Sequence, residues 1–442
     1  MTSTAPAKPG FAKVVIAGLV GTTIEWYDFF LYGSAAALVF NKVFFPTVDP
    51  LNGTLLAFTT YAIGFLARPL GGLVFGHFGD RIGRKKLLVL SLVLMGGATF
   101  AMGLLPTYAA IGVGAPLLLT FLRLVQGFAL GGEWGGAVLI VSEHGSAERR
   151  GFWASWPQAG VPVGNLLATA VLAVLAAVQT EEAFISWGWR VPFLISGVLV
   201  LIGLWIRLSV SESPVFLEAQ AKAAAGPKEK APIVEVFRHH WREVLIAMGA
   251  RMGENVSYYV LTAFILTYIT GPLGLPKSTG LNAVLIASAV HLVAIPCWGA
   301  LSDVIGRRRT YLIGALGVGA WMFAFFALLD TKSFLPITLA VTVGLVLHGA
   351  MYGPQAAFFS ELFGTKVRYS GASVGYQLAS IAAGAVAPLI ATALLKEFGG
   401  TTPVTLYVLA MCLITVVAVL VAKETRGTSL SRNDTDRASV SA

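Results

Sequence analysis

Twelve apolar runs, each long enough to cross a bilayer, follow one another along the chain and constrain its fold more than any other feature. A spanning helix needs about 20 mostly apolar residues, because each residue adds about 1.5 Å to a crossing of about 30 Å. The runs cover residues 14–39, 51–75, 86–105, 113–140, 152–178, 188–209, 243–270, 281–301, 309–329, 335–359, 371–395 and 402–422. Only 12% of the 442 residues are charged and 56% are hydrophobic, which excludes an ordinary soluble protein. The sequence therefore predicts an all-α membrane protein with twelve transmembrane helices.

A polar loop motif occurs twice and indicates an internal duplication. The first copy covers residues 76–86, between the second and third runs, and a weaker copy 223 positions later covers residues 299–309. Both copies keep their glycines, their aspartate and their basic cluster in register. One spacing found twice predicts two six-helix halves.

A glutamate and an arginine, seven residues apart, also repeat after the fourth run of each half. The pairs are Glu143 with Arg150 and Glu361 with Arg368. Repeats in the same register predict parallel halves, both inserted in the same sense. The expected organisation is an N-terminal six-helix half (1–210), a cytoplasmic linker (211–242), a C-terminal six-helix half (243–425) and a disordered cytoplasmic tail (426–442).

Basic residues cluster on alternate loops and predict the orientation. The formal charge of +9 does not indicate a nucleic-acid partner, because the charges lie in short clusters between apolar runs and not on one soluble face. The basic side carries Arg81, Arg84, Lys85, Lys86, Arg149, Arg150, Arg307, Arg308, Arg309, Lys366 and Arg368. Basic loops stay in the cytoplasm, so we expect a multi-pass protein of the plasma (inner) membrane with both termini cytoplasmic.

Small residues in the fourth run predict close helix packing. Their spacing lets helix backbones approach in lipid, where packing drives association. The residues are Gly127, Gly131, Gly132, Gly135 and Gly136. We expect Gly160 and Gly164 of the fifth run to face them.

The loop motif and the helix count resemble those of the major facilitator superfamily. Its glycine, aspartate and basic positions match residues 76–86, with a degenerate copy at residues 299–309. Arg123, Gln126 and Gly127 resemble a second motif of that superfamily, which recurs in proton-coupled members. The resemblance implies a transporter that works by alternating access.

Further motifs resemble the metabolite:proton symporter family, which includes carriers of shikimate, 2-oxoglutarate, citrate, proline and betaine. They cover residues 25–29, 65–72, 131–137 and 150–151. Residues 155–164 and 186–193 look most like the shikimate-transporter branch of that family. The resemblance implies symport of a small solute with a proton.

Ionisable residues within the runs are the first candidates for function, because a charge at the bilayer centre costs at least about 2.5 kcal/mol. Glu25 and Asp28 lie on one face of the first helix, and we expect Arg123 of the fourth helix to be their partner. Such carboxyls either exchange the driving proton or form a fixed structural pair with the arginine. Glu133 is either a second proton site or a partner of a neighbouring polar group. The candidate proton-coupling residues are Glu25, Asp28, Arg123 and Glu133.

A polar face on the seventh run predicts a substrate site. Arg251, Glu254, Asn255 and Tyr258 share one helix face at positions i, i+3, i+4 and i+7. The arginine either holds a substrate carboxylate through two parallel hydrogen bonds or is satisfied by Glu254. The candidate substrate-binding residues are Arg123, Gln126, Gln158, Asn165, Arg251, Glu254, Asn255, Tyr258, Tyr259, His348, Tyr352 and Gln355.

Two histidines and two amides leave a choice of roles open. His291 and His348 lie within the eighth and tenth runs, where a histidine is either a proton relay or a hydrogen-bonding core residue. Gln158 and Asn165 face the same way on the fifth run. Cavity lining and interhelical hydrogen bonding are equally open for them.

The two loop copies are expected to gate the cytoplasmic side. The resemblance implies that their contacts close the inner side in the outward-open state. Asp80 would accept hydrogen bonds from the N–H groups of a neighbouring helix N-terminus, and Arg84 would pair with Glu143. A simple anchoring role for the basic residues stays open. The candidate gating residues are Gly76, Asp80, Arg81, Arg84, Glu143, Arg150, Asp303, Arg307, Glu361 and Arg368.

The residues show no enzyme or metal site. Cys297 and Cys412 lie far apart in apolar runs without metal-ligand spacing, and neither a phosphate loop nor a nucleophile elbow is present. We expect no metal, no cofactor apart from the coupling proton, and a functional monomer in the lipid bilayer.

The sequence thus predicts a secondary active transporter. Its expected activity is proton-coupled uptake of a small hydroxylated monocarboxylate such as shikimate. The alternatives are a zwitterionic osmolyte such as proline or betaine, and a di- or tricarboxylate such as 2-oxoglutarate or citrate.

Overall fold

The computed structural model describes residues 11–82, 84–131, 141–142, 146–209, 236, 238–363 and 368–428. Within these residues the chain is helical and has no strand. Most of the predicted linker and the tail beyond residue 428 lie outside the described residues.

Twelve main helices follow the order of the apolar runs, counted over the described residues. They are α1 (Phe11–Ala35), α2 (Pro50–Ile82), α3 (Arg84–Gly103), α4 (Gly114–Leu130), α5 (Arg150–Val178), α6 (Arg190–Ser209), α7 (Trp241–Tyr259), α8 (Lys277–Ile305), α9 (Arg307–Leu329), α10 (Phe334–Leu362), α11 (Arg368–Ala379) and α12 (Thr402–Val421). Wide π-type turns continue α1 through Ala36–Phe40, α7 through Val260–Phe264 to Ile265–Thr270, and α11 through Ser380–Ala385 to Ala387–Phe398. Every predicted run falls on one of these helices.

Six of the described helices are long and apolar enough to cross a membrane by themselves. The bent pair formed by Glu181–Gly188 and Arg190–Trp205, with an angle of 44°, adds a seventh if it is one span. Shorter apolar stretches, Val89–Gly103 and Gly114–Leu130, lie in α3 and α4.

Apart from α5 and α8, which pack most extensively on each other, helices α1 to α6 pack mainly against one another, and so do α7 to α12. In the first group α1 packs on α5, α2 on α4, and α3 on α6. In the second, α8 and α9 pack on α10, and α7 packs on α11 and α12. The two groups meet along α5, which packs against α8 and α10, and where α2 contacts α11. A site between the groups is therefore lined by helices of both.

Glycines set the closest helix contacts. A Cβ on Gly127 would lie 1.8 Å from the backbone oxygen of Gly64, so α4 and α2 touch backbone to backbone as predicted. The expectation for the fifth run is wrong. Gly160 and Gly164 face the backbone of α1, where a Cβ on Gly164 would lie 2.7 Å from the oxygen of Thr23. The glycine face of α5 packs on α1, the helix of the N-terminal group with which α5 has its most extensive contact. These glycines therefore do not face the described part of α4.

Candidate functional site

A small cavity lies between the two groups of helices. It is lined by Trp26 of α1, Val161 of α5, Arg251, Glu254, Asn255, Tyr258 and Tyr259 of α7, and His348 and Tyr352 of α10. About 10 Å³ is open to the centre of a water-sized sphere, which is room for about one water molecule. The walls of this cavity therefore lie close against each other.

Arg251 is the central cation of this cavity. Its Nε lies 3.5 Å from Glu254 Oε2, and its two terminal nitrogens donate to Gln355 Oε1 at 3.4 Å and Asn255 Oδ1 at 3.2 Å. The guanidinium carbon sits 3.3 Å from the centre of the Tyr376 ring. The predicted face of α7 is thus assembled, and in this closed conformation Arg251 and Glu254 satisfy each other.

Glu254 joins Arg251 to α9 and α10. Gln355 donates to Glu254 Oε2 at 3.1 Å and to the Tyr311 hydroxyl at 2.8 Å. His348 Nε2 lies 3.4 Å from Glu254 Oε1, and His348 Nδ1 lies 3.1 Å from His291 Nε2. Four helices of one group therefore share a single buried polar network.

The two amides of α5 differ in their partners. Asn165 donates to Ser288 Oγ at 3.1 Å and to the Tyr258 hydroxyl at 3.4 Å, so it links α5 to α8 and α7 across the interface. Gln158 is buried, and its Nε2 has no hydrogen-bond partner within the described part of the chain. Of the two roles left open for these amides, interhelical hydrogen bonding is the one that Asn165 shows.

Arg123 occupies an aromatic cage in the N-terminal group. Its guanidinium carbon lies 4.7 Å, 4.4 Å and 4.6 Å from the ring centres of Phe29, Tyr32 and Tyr61. It also donates to Gln126, whose Nε2 donates to Thr99 Oγ1 at 2.9 Å. Ring faces attract a desolvated cation, so aromatic side chains take the place of the predicted carboxylate.

Arg123 and Asp28 lie within electrostatic range of each other but do not form a direct ion pair. Asp28 is buried beside the Thr99 hydroxyl, and neither of its carboxyl oxygens makes a hydrogen bond of ordinary geometry among the described residues. Glu25, one turn earlier, is also buried and lies within electrostatic range of Tyr376 of α11. The two α1 acids therefore face different surroundings, although they share a helix face.

Sequence reasoning missed Arg68 of α2. It is buried, with its guanidinium carbon 4.2 Å from the ring centre of Phe65 and 4.7 Å from that of Phe29. It lies within electrostatic range of Tyr259, Tyr376 and Arg251. An arginine inside an apolar run itself indicates a functional residue, but Arg68 entered the sequence analysis only as part of the motif at residues 65–72.

Several predicted residues lie outside the described part of the chain. Glu133 and Glu143 are among them, and so is the predicted contact of Arg84 with Glu143. Gly76, Asp80 and Arg81 lie near the end of α2, and Arg84 begins α3; the side chains at these positions are likewise outside what is described.

The second loop copy closes one end of the interface. Asp303 at the end of α8 accepts from the backbone N–H groups of Gly151 at 2.8 Å and Phe152 at 2.9 Å, at the start of α5. Arg307 donates to Asp303 at 2.7 Å and pairs with Glu361 at 3.2 Å. An aspartate at a helix N-terminus is the contact that the sequence predicted for Asp80, and it is present at Asp303.

Glu361 gathers contacts from both groups of helices at this end. Arg150 of α5 pairs with it at 2.9 Å, and the Thr425 hydroxyl, beyond α12, donates to it at 2.8 Å. Glu424 accepts from the backbone N–H of Arg307 at 2.9 Å. Arg368 donates to the backbone oxygen of Ser360 at 2.9 Å, a contact within its own group.

The opposite end is closed by Glu181. Its carboxylate pairs with Lys42 at 2.9 Å and with Lys277 at the start of α8. Partial burial alone would raise the pKa of Glu181, but the two ammonium groups outweigh it and lower the pKa. Lys396 donates to Asn52 between α11 and α2. The conformation is therefore occluded, with contacts between the groups at both ends.

A profile of the sugar (and other) transporter family matches residues 13–436. The shikimate transporter of Escherichia coli (strain K12) is 43% identical over 416 residues, which cover 94% of this chain and 95% of that protein. The inner membrane metabolite transport protein YhjE of the same organism is 43% identical over 95% of both chains. The proline/betaine transporter of Salmonella typhimurium is 33% identical over 93% of this chain and 83% of its own length.

Solved structures show the same fold. The proton:xylose symporter of the major facilitator superfamily aligns with a TM-score of 0.73 at 17% identity, over 95% of this chain and 98% of that one. The partially occluded inward-open xylose transporter from E. coli gives 0.72 at 19% identity, over 96% and 100%. The predicted twelve-helix fold with two parallel six-helix halves is confirmed.

Proposed function

Because the chain belongs to the sugar (and other) transporter family, within the major facilitator superfamily, we propose that it takes up a small hydroxylated monocarboxylate together with a proton. Shikimate is an example of this class of substrate. The chain is a multi-pass membrane transporter and not an enzyme, as predicted, and the substrate and the coupling ion are the proposal.

A buried arginine in the cavity between the halves carries the proposal. Arg251 is 1% exposed, and a guanidinium can bind a carboxylate through two parallel hydrogen bonds. Asn255, Tyr258, Tyr259 and Tyr352 around it supply amide and hydroxyl groups for a polyhydroxylated ring. The 43% identity to a shikimate transporter supports the same class of substrate.

Proton coupling is supported by buried carboxyls in the N-terminal half. Asp28 is our first candidate there, because an ionisable group buried within a membrane-spanning helix is a functional site by default. Glu25 is the second candidate, and Glu133 keeps the role that the sequence suggested. We assign Arg123 to positioning α1 through its aromatic cage.

Alternating access would proceed by rocking one six-helix half against the other. The Asp303 and Glu361 contacts close the basic end, which we propose to be cytoplasmic from its charge. The Glu181 contacts close the other end. Opening either set while the other holds would expose the cavity to one side at a time.

Uptake into proteoliposomes tests the proposal. We expect the purified protein to accumulate labelled shikimate when the outside is acidic, and we expect a protonophore to abolish accumulation while leaving counterflow. Vesicles without protein are the control. Accumulation that persists after the pH gradient is collapsed would show that the symport proposal is wrong.

A zwitterionic osmolyte is the second candidate. Trp26, Tyr258, Tyr259 and Tyr352 put four aromatic rings on the cavity wall, and such rings can hold a quaternary ammonium by cation–π attraction. The 33% identity to a proline/betaine transporter supports this reading. Accumulation of betaine or proline but not shikimate would favour it, and accumulation of citrate or 2-oxoglutarate alone would favour a di- or tricarboxylate.

A further inference from the structure

Three ionisable side chains from three helices form a continuous chain beside the cavity. His348 of α10 lies between Glu254 of α7 and His291 of α8, at 3.4 Å from Glu254 Oε1 and 3.1 Å from His291 Nε2. The three residues are at most 3% exposed. A histidine held between a carboxylate and a second histidine is able to carry a proton along the chain.

His348 lies between two groups that can accept a hydrogen bond. A neutral imidazole has one N–H and can donate to only one neighbour, whereas an imidazolium donates from both nitrogens. On one side the Nε2 of His291 is at hydrogen-bond distance from His348 Nδ1, and on the other Glu254 Oε1 lies 3.4 Å from His348 Nε2, which makes no hydrogen bond in the described structure. In that arrangement His291 carries its hydrogen on Nδ1, an atom without a hydrogen-bond partner in the described part of the chain. This row of three side chains thus ends in the Glu254 carboxylate on one side and in the Nδ1 atom of His291, which has no hydrogen-bond partner among the described residues, on the other.

The charges that face this chain cancel in their ordinary forms. The ionisable or charged groups around it are Arg251, Glu254 and Tyr258 of α7, Glu25 of α1, Arg68 of α2, Tyr311 of α9, Tyr352 of α10 and Tyr376 of α11. From α5 the described contacts are the neutral Asn165 and Val161. Arg251 balances Glu254. Arg68 and Glu25, which lie farther out within electrostatic range of Tyr376, carry opposite charges, so one added proton leaves one positive charge. That charge equals and opposes the charge of a monocarboxylate.

We propose that His348, held between Glu254 and His291, is a proton site in the C-terminal half that controls substrate binding at Arg251. The proposal rests on the function proposed above and adds this site to the α1 carboxyls. A proton that arrives on His348 makes Nε2–H a donor to Glu254 Oε1. The carboxylate of Glu254 is then drawn away from the guanidinium of Arg251. The ion pair to be broken is a loose one, because Glu254 Oε2 lies 3.5 Å from Arg251 Nε. Arg251 then turns its free N–H groups to the substrate carboxylate, and the loaded site is neutral again.

Proton binding and anion binding are therefore cooperative. Each favours the other by the same factor, as linkage requires. The transporter would bind its anion tightly on the acidic side of the membrane and release it after the proton leaves His348. This order couples the proton gradient to substrate transport although the proton on His348 and the substrate on Arg251 do not touch each other.

The test compares His348→Gln with His239→Gln in proteoliposomes. Glutamine at position 348 can still hydrogen-bond but cannot carry a proton, and His239 is an exposed histidine before α7 that serves as the control. Labelled shikimate is measured in two modes: accumulation against an acid-outside gradient and counterflow at equal pH. We expect His348→Gln to lower accumulation by at least about fivefold more than it lowers counterflow, while His239→Gln matches the unmodified protein in both modes. Unchanged accumulation with unchanged proton uptake in His348→Gln would overturn the proposal.

A second measurement keeps the proposal testable if His348→Gln does not fold. A site that takes up a proton together with the anion binds the anion more tightly in acid, so the affinity of the unmodified protein for shikimate should fall as the pH rises, by up to about tenfold per pH unit. An affinity that does not change with pH overturns the proton site. If the unmodified protein shows no shikimate counterflow, the substrate proposal fails instead, and the same pair of variants is compared with whichever of proline, betaine or citrate is transported.

Discussion

At the scale of single residues, buried charges are compensated in different ways in the two halves. Arg251 contacts a carboxylate, two amides and one aromatic ring. Arg123 has three aromatic rings and one amide. An arginine that is held by exchangeable polar partners can release them to a ligand, whereas one that is enclosed by rings is better suited to hold helices together. We therefore expect substrate affinity to depend more on Arg251.

Arg251→Lys should weaken substrate binding although it keeps the charge. Lysine cannot form two parallel hydrogen bonds with a carboxylate, nor stack on Tyr376 as a planar group. We expect a loss of about 2 kcal/mol, which is about thirtyfold in Kd. Thermal stabilisation of the purified protein by shikimate measures the change, since a ligand that binds only the folded state raises its stability.

Arg242→Lys is the matched control for this change. Arg242 lies on the same helix but is exposed, beside Trp241, and its substitution should leave the affinity as it was. Equal affinities for the two variants would contradict a direct role for Arg251.

The residues that could be predicted from the sequence are those that share one helix. Arg251, Glu254, Asn255 and Tyr258 follow helical spacing, so their common face was readable from the sequence alone. The relation of Asp28 to Arg123 depends on the rotation of α1 against α4, which periodicity within a single helix does not determine. The contact of His348 with His291 joins two helices, so it could not be predicted from the spacing within either helix.

At the scale of helices, the crossing of α5 and α8 decides whether the basic end can close. A Cβ on Gly299 would lie 2.7 Å from the backbone oxygen of Gly151, and one on Gly151 would lie 2.5 Å from the oxygen of Gly299. Side chains essentially never approach a backbone oxygen this closely. Only glycine at both positions allows the start of α5 to reach Asp303.

Gly299→Ala should therefore shift the protein away from this closed conformation. The added methyl group must push α5 from α8, which breaks the hydrogen bonds from Gly151 and Phe152 to Asp303. We expect amide hydrogen exchange at the start of α5 to rise by about tenfold or more. Mass spectrometry of the peptides from this helix start measures it.

Gly97→Ala on α3 is the control, because a Cβ there meets nothing within 4 Å. Its exchange at the start of α5 should equal that of the unmodified protein. A folded Gly299→Ala protein with unchanged exchange would show that the crossing does not govern closure.

At the scale of the whole molecule, the twelve helices and their duplication were readable from the sequence, whereas the closure of the halves was not. Apolar runs and repeated loops depend on local composition, which a single chain displays directly. The pairs Glu181–Lys277 and Arg150–Glu361 join residues from different halves. Which such pairs are formed depends on the conformational state, and one sequence encodes all states.

Glu181→Gln should favour opening of the end that Glu181 closes. The pKa of Glu181 is lowered from its ordinary value of 4.5, so its ion pairs stabilise closure above that pH and are lost as the pH falls through the lowered value. We expect the variant to show, at neutral pH, the wider separation that the unmodified protein shows only in acid. Distances between spin labels on the loops of the two halves at the Glu181 end measure this separation.

Glu182→Gln removes an equal charge from the neighbouring exposed position and serves as the control. It should leave the label distances unchanged. If both variants open the outer end equally, net loop charge and not the Glu181 ion pairs sets the closure.

The small volume of the cavity around Arg251 also bears on the membrane potential. A carrier must return without substrate in every cycle, and a water-filled centre during that step would offer ions and protons a path through the bilayer. The closed cavity has room for about one water molecule, which is too little for a continuous file of water. An empty carrier that passes through this conformation would let no ions through, so under the proposed proton symport the return step would not dissipate the proton gradient.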